Sequence, residues 1–262
     1  MQGKINADQP AGASSAPAAW VTGAGSGIGR ALALRLAREG WRVAVSARTA
    51  RDLDTLAAEA PGRIHAFPLD VTDPEATLQA VTHIEDALGP LDLAVLNAGT
   101  YARDSAAHFE PGAFRKTVDV NLMGAAHCLA GLMPRMLARE SGHIAVVSSV
   151  AGYVGLPGAA AYGASKAALI NMCEALYPEL AARNVRLSLI NPGFVDTPLT
   201  QKNDFPMPFL ISADAAVDHI MAGLKSRRFE IAFPWQMVLS MKALAALPAR
   251  LRFALTRRMV RN

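Results

Sequence analysis

Residues 18–39 read AAWVTGAGSGIGRALALRLARE, and this stretch decides the fold. Ala18–Thr22 is a short apolar run that reads as a strand. It enters Thr22-Gly23-Ala24-Gly25-Ser26-Gly27-Ile28-Gly29 and leaves as the helical pattern Ile28–Glu39. Strand, glycine-rich turn and helix in that order open a βαβ unit. Gly23, Gly25, Gly27 and Gly29 permit a tight turn and close approach of backbone to a ligand. The helix start at Ser26 and Ile28 offers free N–H groups and a positive dipole end to phosphate. A strand before and a helix after give the glycines the context a dinucleotide pyrophosphate requires.

The same alternation continues along the chain. Further strand-like runs are Arg42–Ser46, Arg63–Pro68, Leu91–Asn97, His143–Ser148, Arg186–Asn191 and Phe229–Phe233. Helical patterns lie between them at Ala50–Ala60, Pro74–Leu88, Pro111–Glu140, Tyr162–Asn184 and Ala213–Ser226. Strands alternating with long helices imply a parallel sheet, and apolar runs such as Leu93–Leu96 suit strands covered on both faces. The expected fold is α/β: a doubly wound Rossmann-type parallel sheet of about seven strands with helices on both faces. Pro178 falls inside a helical pattern and predicts a kink. The expected organisation is a disordered N-terminal tail over 1–17, one catalytic domain over 18–234, and an apolar, basic helical extension over 235–262.

Composition narrows the function. The chain has 262 residues, 52% apolar and 18% charged, which excludes global disorder. Cys128 and Cys173 are too few for a disulfide scaffold or a cysteine metal site and fit a reducing compartment, so a cytoplasmic location is expected. The six His show no ligand spacing, and no metal is expected. Residues 1–17 lack the apolar core of a secretory signal. The longest uncharged stretch, Ile144–Ser165, is interrupted by glycines and a proline and is not read as a membrane span. Net charge is +4, unevenly spread. Residues 231–262 carry Lys242, Arg250, Arg252, Arg257, Arg258 and Arg261 and no acid. The positive charge therefore belongs to the tail and is not a nucleic-acid face on the domain.

Two local features point to chemistry. At the end of the second strand, Ser46-Ala47-Arg48-Thr49 lacks the acid that binds the ribose 2′-hydroxyl of NAD. Arg48 can pair instead with a 2′-phosphate, which favours NADP(H) over NAD(H). Further on, Tyr162-Gly163-Ala164-Ser165-Lys166 opens a helix, and the i, i+4 spacing sets Tyr162 and Lys166 on one face. A neighbouring cation lowers the pKa of a phenol and suits it to proton transfer at a carbonyl oxygen. Ser149, at a strand end 13 residues upstream, can hydrogen-bond that oxygen.

With these motifs in order, the chain resembles the short-chain dehydrogenase/reductase family, in its single-domain branch. The resemblance runs from about Ala18 to Phe233. It rests on Thr22–Gly29, Asn97-Ala98-Gly99, Asn121, Ser149 with Tyr162 and Lys166, and Asn191-Pro192-Gly193. It implies that Tyr162 is the general acid/base and that Ser149 orients and polarises the carbonyl. Lys166 would tune the tyrosine and hold the nicotinamide ribose, while Asn121 positions a water in a proton relay. It also places Asp70 and Val71 near adenine, and Asn97, Ala98 and Gly99 along the cofactor. Pro192, Gly193, Val195 and Thr197 would border its nicotinamide end, with Thr197 at the carboxamide and phosphate. A homodimer through the two long helices follows from the resemblance, with Leu129, Leu132, Met133, Leu169, Met172 and Leu176 as apolar contributors. Two departures stand out. Leu96 replaces the second Asn that many members carry, and the C-terminal extension replaces a short glycine-rich end.

Tyr153, Leu156, Phe205 and Phe209 lie in apolar segments that border the substrate in the family and imply an aliphatic or lipid-like ligand. The expected activity is interconversion of a ketone or aldehyde and an alcohol by hydride transfer. The alternatives are an NAD-linked alcohol dehydrogenase of the same fold and a non-catalytic NADP-sensing regulator. The tail has two readings: a helical hairpin packed on its own domain or dimer mate, and a peripheral element on an anionic membrane with a stripe at 251, 255 and 259.

Overall fold

The computed structural model describes residues 16–201, 203–226 and 228–260. Among them, seven strands form one parallel sheet: β1 (Ala18–Thr22), β2 (Arg42–Ser46), β3 (Ile64–Ala66), β4 (Leu93–Leu96), β5 (His143–Val147), β6 (Arg186–Pro192) and β7 (Glu230–Phe233). Their order is β3-β2-β1-β4-β5-β6-β7, so the winding reverses between β1 and β4. That reversal opens a crevice beyond the carboxyl ends of the strands.

Side-chain alternation divides the core into two layers. From β1, Ala19 and Val21 join one layer and Ala18 and Trp20 the other. The first layer is roofed by α1 (Gly27–Arg38), α2 (Ala50–Glu59) and α7 (Ala213–Lys225). The second is roofed by α3 (Pro74–Leu88) and by two long helices, α5 (Gly124–Ala138) and α6 (Ala160–Ala181), with α4 (Pro111–Val118) preceding α5. All five residues of β1 are buried, as a strand covered on both faces requires. Trp20 settles its one polar atom by donating its indole N–H to Ser46 Oγ at 3.0 Å.

Several elements differ from the sequence reading. Pro111–Glu140 is not one helix: a π-helical turn, Asp119–Met123, separates α4 from α5. Helix α6 contains Pro178 and runs three residues beyond it, to Ala181. Leu129, Leu132 and Leu169, expected at a subunit interface, are buried in the protomer's own second layer, and Met133, Met172 and Leu176 pack partly against it. Apart from Ala16 and Pro17, the N-terminal tail lies outside the described residues. After β7 come α8 (Trp235–Ala246) and α9 (Ala249–Thr256). One face of α8 packs on the domain, burying Met237 and Leu244 and bonding Lys242 to Glu230 of β7, whereas α9 buries only Thr256. No helix among the described residues is long and apolar enough to cross a membrane.

Candidate active site

Thr22, at the carboxyl end of β1, ties the glycine turn to the exit of β4. Its hydroxyl accepts from the Asn97 and Ala98 N–H groups at 3.0 and 3.1 Å. Asn97 Nδ2 in turn donates to the carbonyls of Thr22 and Gly23 at 3.1 and 3.2 Å. The turn has no room to spare: a Cβ on Gly29 would stand 2.5 Å from both Asn97 Nδ2 and the Gly23 carbonyl oxygen. Gly27 opens α1 at φ +56°, where a side chain is strained. Thr197, arriving from the loop after β6, closes on it, with Cγ2 3.1 Å from where a Gly27 Cβ would be. Ser26 makes no side-chain capping bond, and the first turn of α1 carries no acid. No side chain of α1 itself competes for the N–H groups of its first turn, and the cradle fits a pyrophosphate.

The exits of β2 and β3 flank this turn. Arg48 is exposed. Burial raises the Asp70 pKa, but the Thr72 N–H and hydroxyl, with the Arg48 charge, hold that carboxyl below its ordinary range. The Val71 carbonyl is 2.9 Å from His127 Nδ1. One residue absent from the sequence reading arrives here from α2: Asp52 Oδ2 lies 3.5 Å from the Cβ position of Gly25.

The four expected catalytic residues come from three places: the π turn, the exit of β5 and the first turns of α6. The π turn carries Asn121 inward, where it is almost fully buried. Its Oδ1 accepts from the Thr100 N–H at 2.7 Å, and its Nδ2 donates to the Thr100 carbonyl and to Ser165 Oγ, both at 3.0 Å. Ser149 follows β5. Its hydroxyl accepts from the Ala151 N–H at 3.1 Å and donates to the Pro192 carbonyl at 3.3 Å. Asp104 caps α6 with both carboxylate oxygens, accepting from Ala160 and Ala161 N–H at 2.8 and 2.7 Å. That cap fixes the start of the helix two residues before Tyr162. One turn on, Lys166 is 3% exposed and donates to the Val147 carbonyl at 2.9 Å. Gly99 brings the β4 exit to the same place: its Cβ position is 3.4 Å from Asn121 Oδ1 and 3.7 Å from Lys166 Nζ.

Electrostatics departs from expectation at Tyr162. Burial pushes the phenol above its ordinary pKa; the hydrogen bond with Ser149 opposes this without overcoming it, and Tyr101 adds to the rise. Tyr101 meets the Tyr162 ring edge-on, with centroids 5.4 Å apart. The Lys166 ammonium is 5.6 Å from the ring centroid and bonded to a carbonyl. It does not bring the phenol below its ordinary value here, and burial lowers its own pKa to about 8. Both groups are therefore biased toward their neutral forms, and the Tyr162 phenol is held protonated beside the Ser149 hydroxyl.

The four residues expected to border the substrate have different surroundings. Leu156 is half-buried, Phe205 meets Phe194 edge-on at 5.9 Å, and Phe209 is exposed with φ +60°. Tyr153 has a different place. Its hydroxyl donates to Glu230 Oε1 at 2.5 Å, and that oxygen also accepts from Asn191 Nδ2 at 2.9 Å. Lys242 of α8 donates to Glu230 Oε2 at 2.6 Å and lies 5.2 Å over the Tyr153 ring. Tyr153 is thus a strut joining the Ser149 turn to β7 and α8, since its polar end is taken by a half-buried carboxylate. A groove of about 470 Å³ between α6 and α8 has Tyr153 and Lys242 in its walls but not Ser149, Tyr162 or Lys166, so it is separate from the reacting groups. The sequence reading also missed Thr22, Thr100 and Asp104 as supports. The partners of Thr22 and Asp104 are more than 50 residues away, and no local pattern marks them.

Comparison with known proteins gives this arrangement a lineage. Residues 17–206 match the family profile described as short chain dehydrogenase. The chain is 41% identical over 244 residues to an uncharacterized oxidoreductase of Myxococcus xanthus, covering 92% of this chain and 96% of that protein. It is 36% identical over 185 residues to the 3-oxoacyl-[acyl-carrier-protein] reductase FabG of Thermotoga maritima, covering 70% of this chain and 75% of that one. A short chain dehydrogenase from Burkholderia cenocepacia, solved in complex with NADP, superposes with a TM-score of 0.80 at 28% identity, covering 95% of this chain and 99% of the other. The profile spans most of the chain and the fold and motifs agree with it, so the protein belongs to the short-chain dehydrogenase/reductase family of oxidoreductases.

Proposed function

We propose that this protein is an NADP(H)-dependent oxidoreductase that interconverts an apolar ketone or aldehyde and its alcohol. The observation that carries the reading is the meeting of Tyr162, Ser149, Lys166 and Asn121 beside the glycine turn. The glycine turn and α1 would hold the pyrophosphate, Lys166 the ribose, and Thr197 the neighbouring phosphate and carboxamide. When bound, the nicotinamide supplies the hydride for reduction. Tyr162 gives its proton to the carbonyl oxygen as the carbon gains that hydride, and Ser149 holds the same oxygen. Asn121 and Lys166 connect the phenol to solvent for its reprotonation. Retention of both Tyr162 and Lys166 argues against a non-catalytic sensor. Leu156, Phe205 and Phe209 favour an apolar substrate over a sugar.

The NADP(H) preference rests on exposed Arg48 and is in keeping with the NADP complex of the Burkholderia relative. A second reading, an NAD-linked dehydrogenase, is favoured by Asp52, whose carboxylate beside Gly25 disfavours an added phosphate. A cytoplasmic homodimer is part of the proposal, joined through α5 and α6. With the leucines committed to the protomer core, small exposed residues such as Ala130, Pro134, Ala164 and Ala175 are what those helices offer a partner. A panel of aliphatic ketones and 3-oxoacyl thioesters, followed by loss of reduced-nicotinamide absorbance with NADPH and with NADH, tests both readings. Turnover with NADPH at well above the NADH rate is expected. Faster turnover with NADH selects the second reading, and none with either cofactor rejects the proposal.

A further inference from the structure

The tail concentrates exposed apolar surface. Trp235, Leu239, Leu251, Phe253, Leu255, Met259 and Val260 are 43% to 69% exposed, whereas only six comparably large apolar side chains are exposed among all the described residues before them. Trp235, Leu239, Ala243 and Ala246 recur at helical spacing and form one exposed ridge on α8. Leu251 and Leu255 do the same on α9. Basic groups are interleaved with them. Arg250, Arg257 and Arg258 are exposed and form no salt bridge among the described residues. Arg252 donates to the Ala245 carbonyl at 3.3 Å and lies 5.4 Å over the Phe253 ring. No Asp or Glu occurs after Glu230, and that one is bonded to Tyr153, Asn191 and Lys242.

The question is what covers this surface. The chain's own first 15 residues hold only Met1 and Ile5 as large apolar side chains, too little to bury it. A second copy across a twofold axis would bring two acid-free, arginine-rich surfaces together, and like charges repel. Nucleic-acid phosphate satisfies the arginines but leaves Trp235, Leu251 and Phe253 in water. An anionic bilayer satisfies both halves: phosphates take the guanidinium groups while the apolar side chains enter the headgroup–acyl boundary. The helices are too short to span, at 12 and 8 residues, so the contact is interfacial.

We propose that residues 235–260 form a docking surface for an anionic lipid bilayer. The surface adjoins the site's edge of the sheet: a Cβ on Gly193 would be 3.1 Å from Pro234 and Met237, at the entry to α8. The proposal stands whatever the substrate is.

The test is co-sedimentation of the full chain with vesicles of phosphatidylcholine alone and with added phosphatidylglycerol, at low and high salt. Binding is expected only with the anionic lipid and should fall steeply with salt. The double variant Arg257→Gln, Arg258→Gln should weaken it roughly 25-fold, about fivefold per arginine. The variant Leu251→Ser, Phe253→Ser should weaken it as well. All four side chains are exposed, so unchanged circular dichroism and melting temperature are expected and show that the fold is intact. No binding at low salt would overturn the proposal, and so would equal binding to neutral and anionic vesicles. A fall in solution mass of the Leu251→Ser, Phe253→Ser variant by light scattering, without vesicle binding by the wild type, would assign the surface to a second copy.

Discussion

Replacing Glu230 by Gln tests whether this β7 carboxylate, through Tyr153 and Asn191, holds the Ser149 turn in place. Glu230 accepts three hydrogen bonds: Tyr153 and Asn191 on Oε1, and Lys242 on Oε2. An amide has one oxygen. Either its NH2 faces the Lys242 ammonium, or it faces two donors at once, so at least one charge-assisted bond is lost in every rotamer. Such a bond contributes about 1.5–3 kcal/mol, and the Lys242 arm is half-exposed, which favours the lower end. At roughly 2–4 °C per kcal/mol for a chain of this size, the melting temperature should fall by about 3–8 °C. Activity should respond through Ser149. Tyr153 ends the 3-10 turn that Ser149 caps, and Asn191 precedes the Pro192 carbonyl that receives the Ser149 hydroxyl. Loosening both supports should lower kcat roughly tenfold with KM little changed, because misplacement affects the transition state more than binding. Lys242→Met keeps the Tyr153 and Asn191 bonds and should cost stability while sparing kcat. There is a pH signature too. Burial raises the Glu230 pKa, but its three partners hold it below the ordinary value, so its contribution is present above the usual carboxylate range and lost as pH falls through the depressed pKa. The Gln variant should lack that acid-side loss. Thermal melts and steady-state kinetics of both variants decide the matter; a Glu230→Gln protein with wild-type melting temperature and kcat would refute the strut.

Three further outcomes are expected. Tyr162→Phe should lower kcat by about 10²–10⁴-fold while NADPH binding, followed by fluorescence, stays near wild type; retention of a tenth of the activity would remove Tyr162 as proton donor. Arg48→Asp should weaken NADPH by roughly 10- to 100-fold, the size of a charge-assisted hydrogen bond, with little effect on NADH, whereas Asp52→Ala should tighten NADPH; titrations with both cofactors check this pair. His143 is buried against Ser188 Oγ at 2.9 Å, and burial lowers its pKa to about 4. The unfolded imidazole binds a proton below about 6.5 and the folded one does not until about 4, so roughly 3 kcal/mol of stability should disappear as pH falls through that window. Urea unfolding at pH 7.5 and 4.5 should show a smaller difference for His143→Asn than for the wild type.

Local pattern was enough for much of this protein. Short continuous apolar runs mark the strands and period-3.6 apolar spacing marks most helices, because a strand covered on both faces buries every side chain and a helix buries one stripe. The glycine turn, Ser149, and the Tyr162–Lys166 pair are also legible, since turn sterics and i, i+4 proximity act over a few residues. Tertiary structure decided the rest. Asn121 reaches Thr100 and Ser165 only because a π turn interrupts what the apolar pattern presents as one helix. Tyr153 bonds a carboxylate 77 positions away, a pairing that no local pattern marks. Asp104 finds the start of α6, and Asp52 finds Gly25, through contacts between separate elements. Leu129, Leu132 and Leu169 have the same spacing whether they face a core or a partner subunit, and only the packed layer assigns them to the core. The Tyr162 phenol rises in pKa because desolvation sums over every atom around it, a quantity that the spacing to Lys166 does not contain.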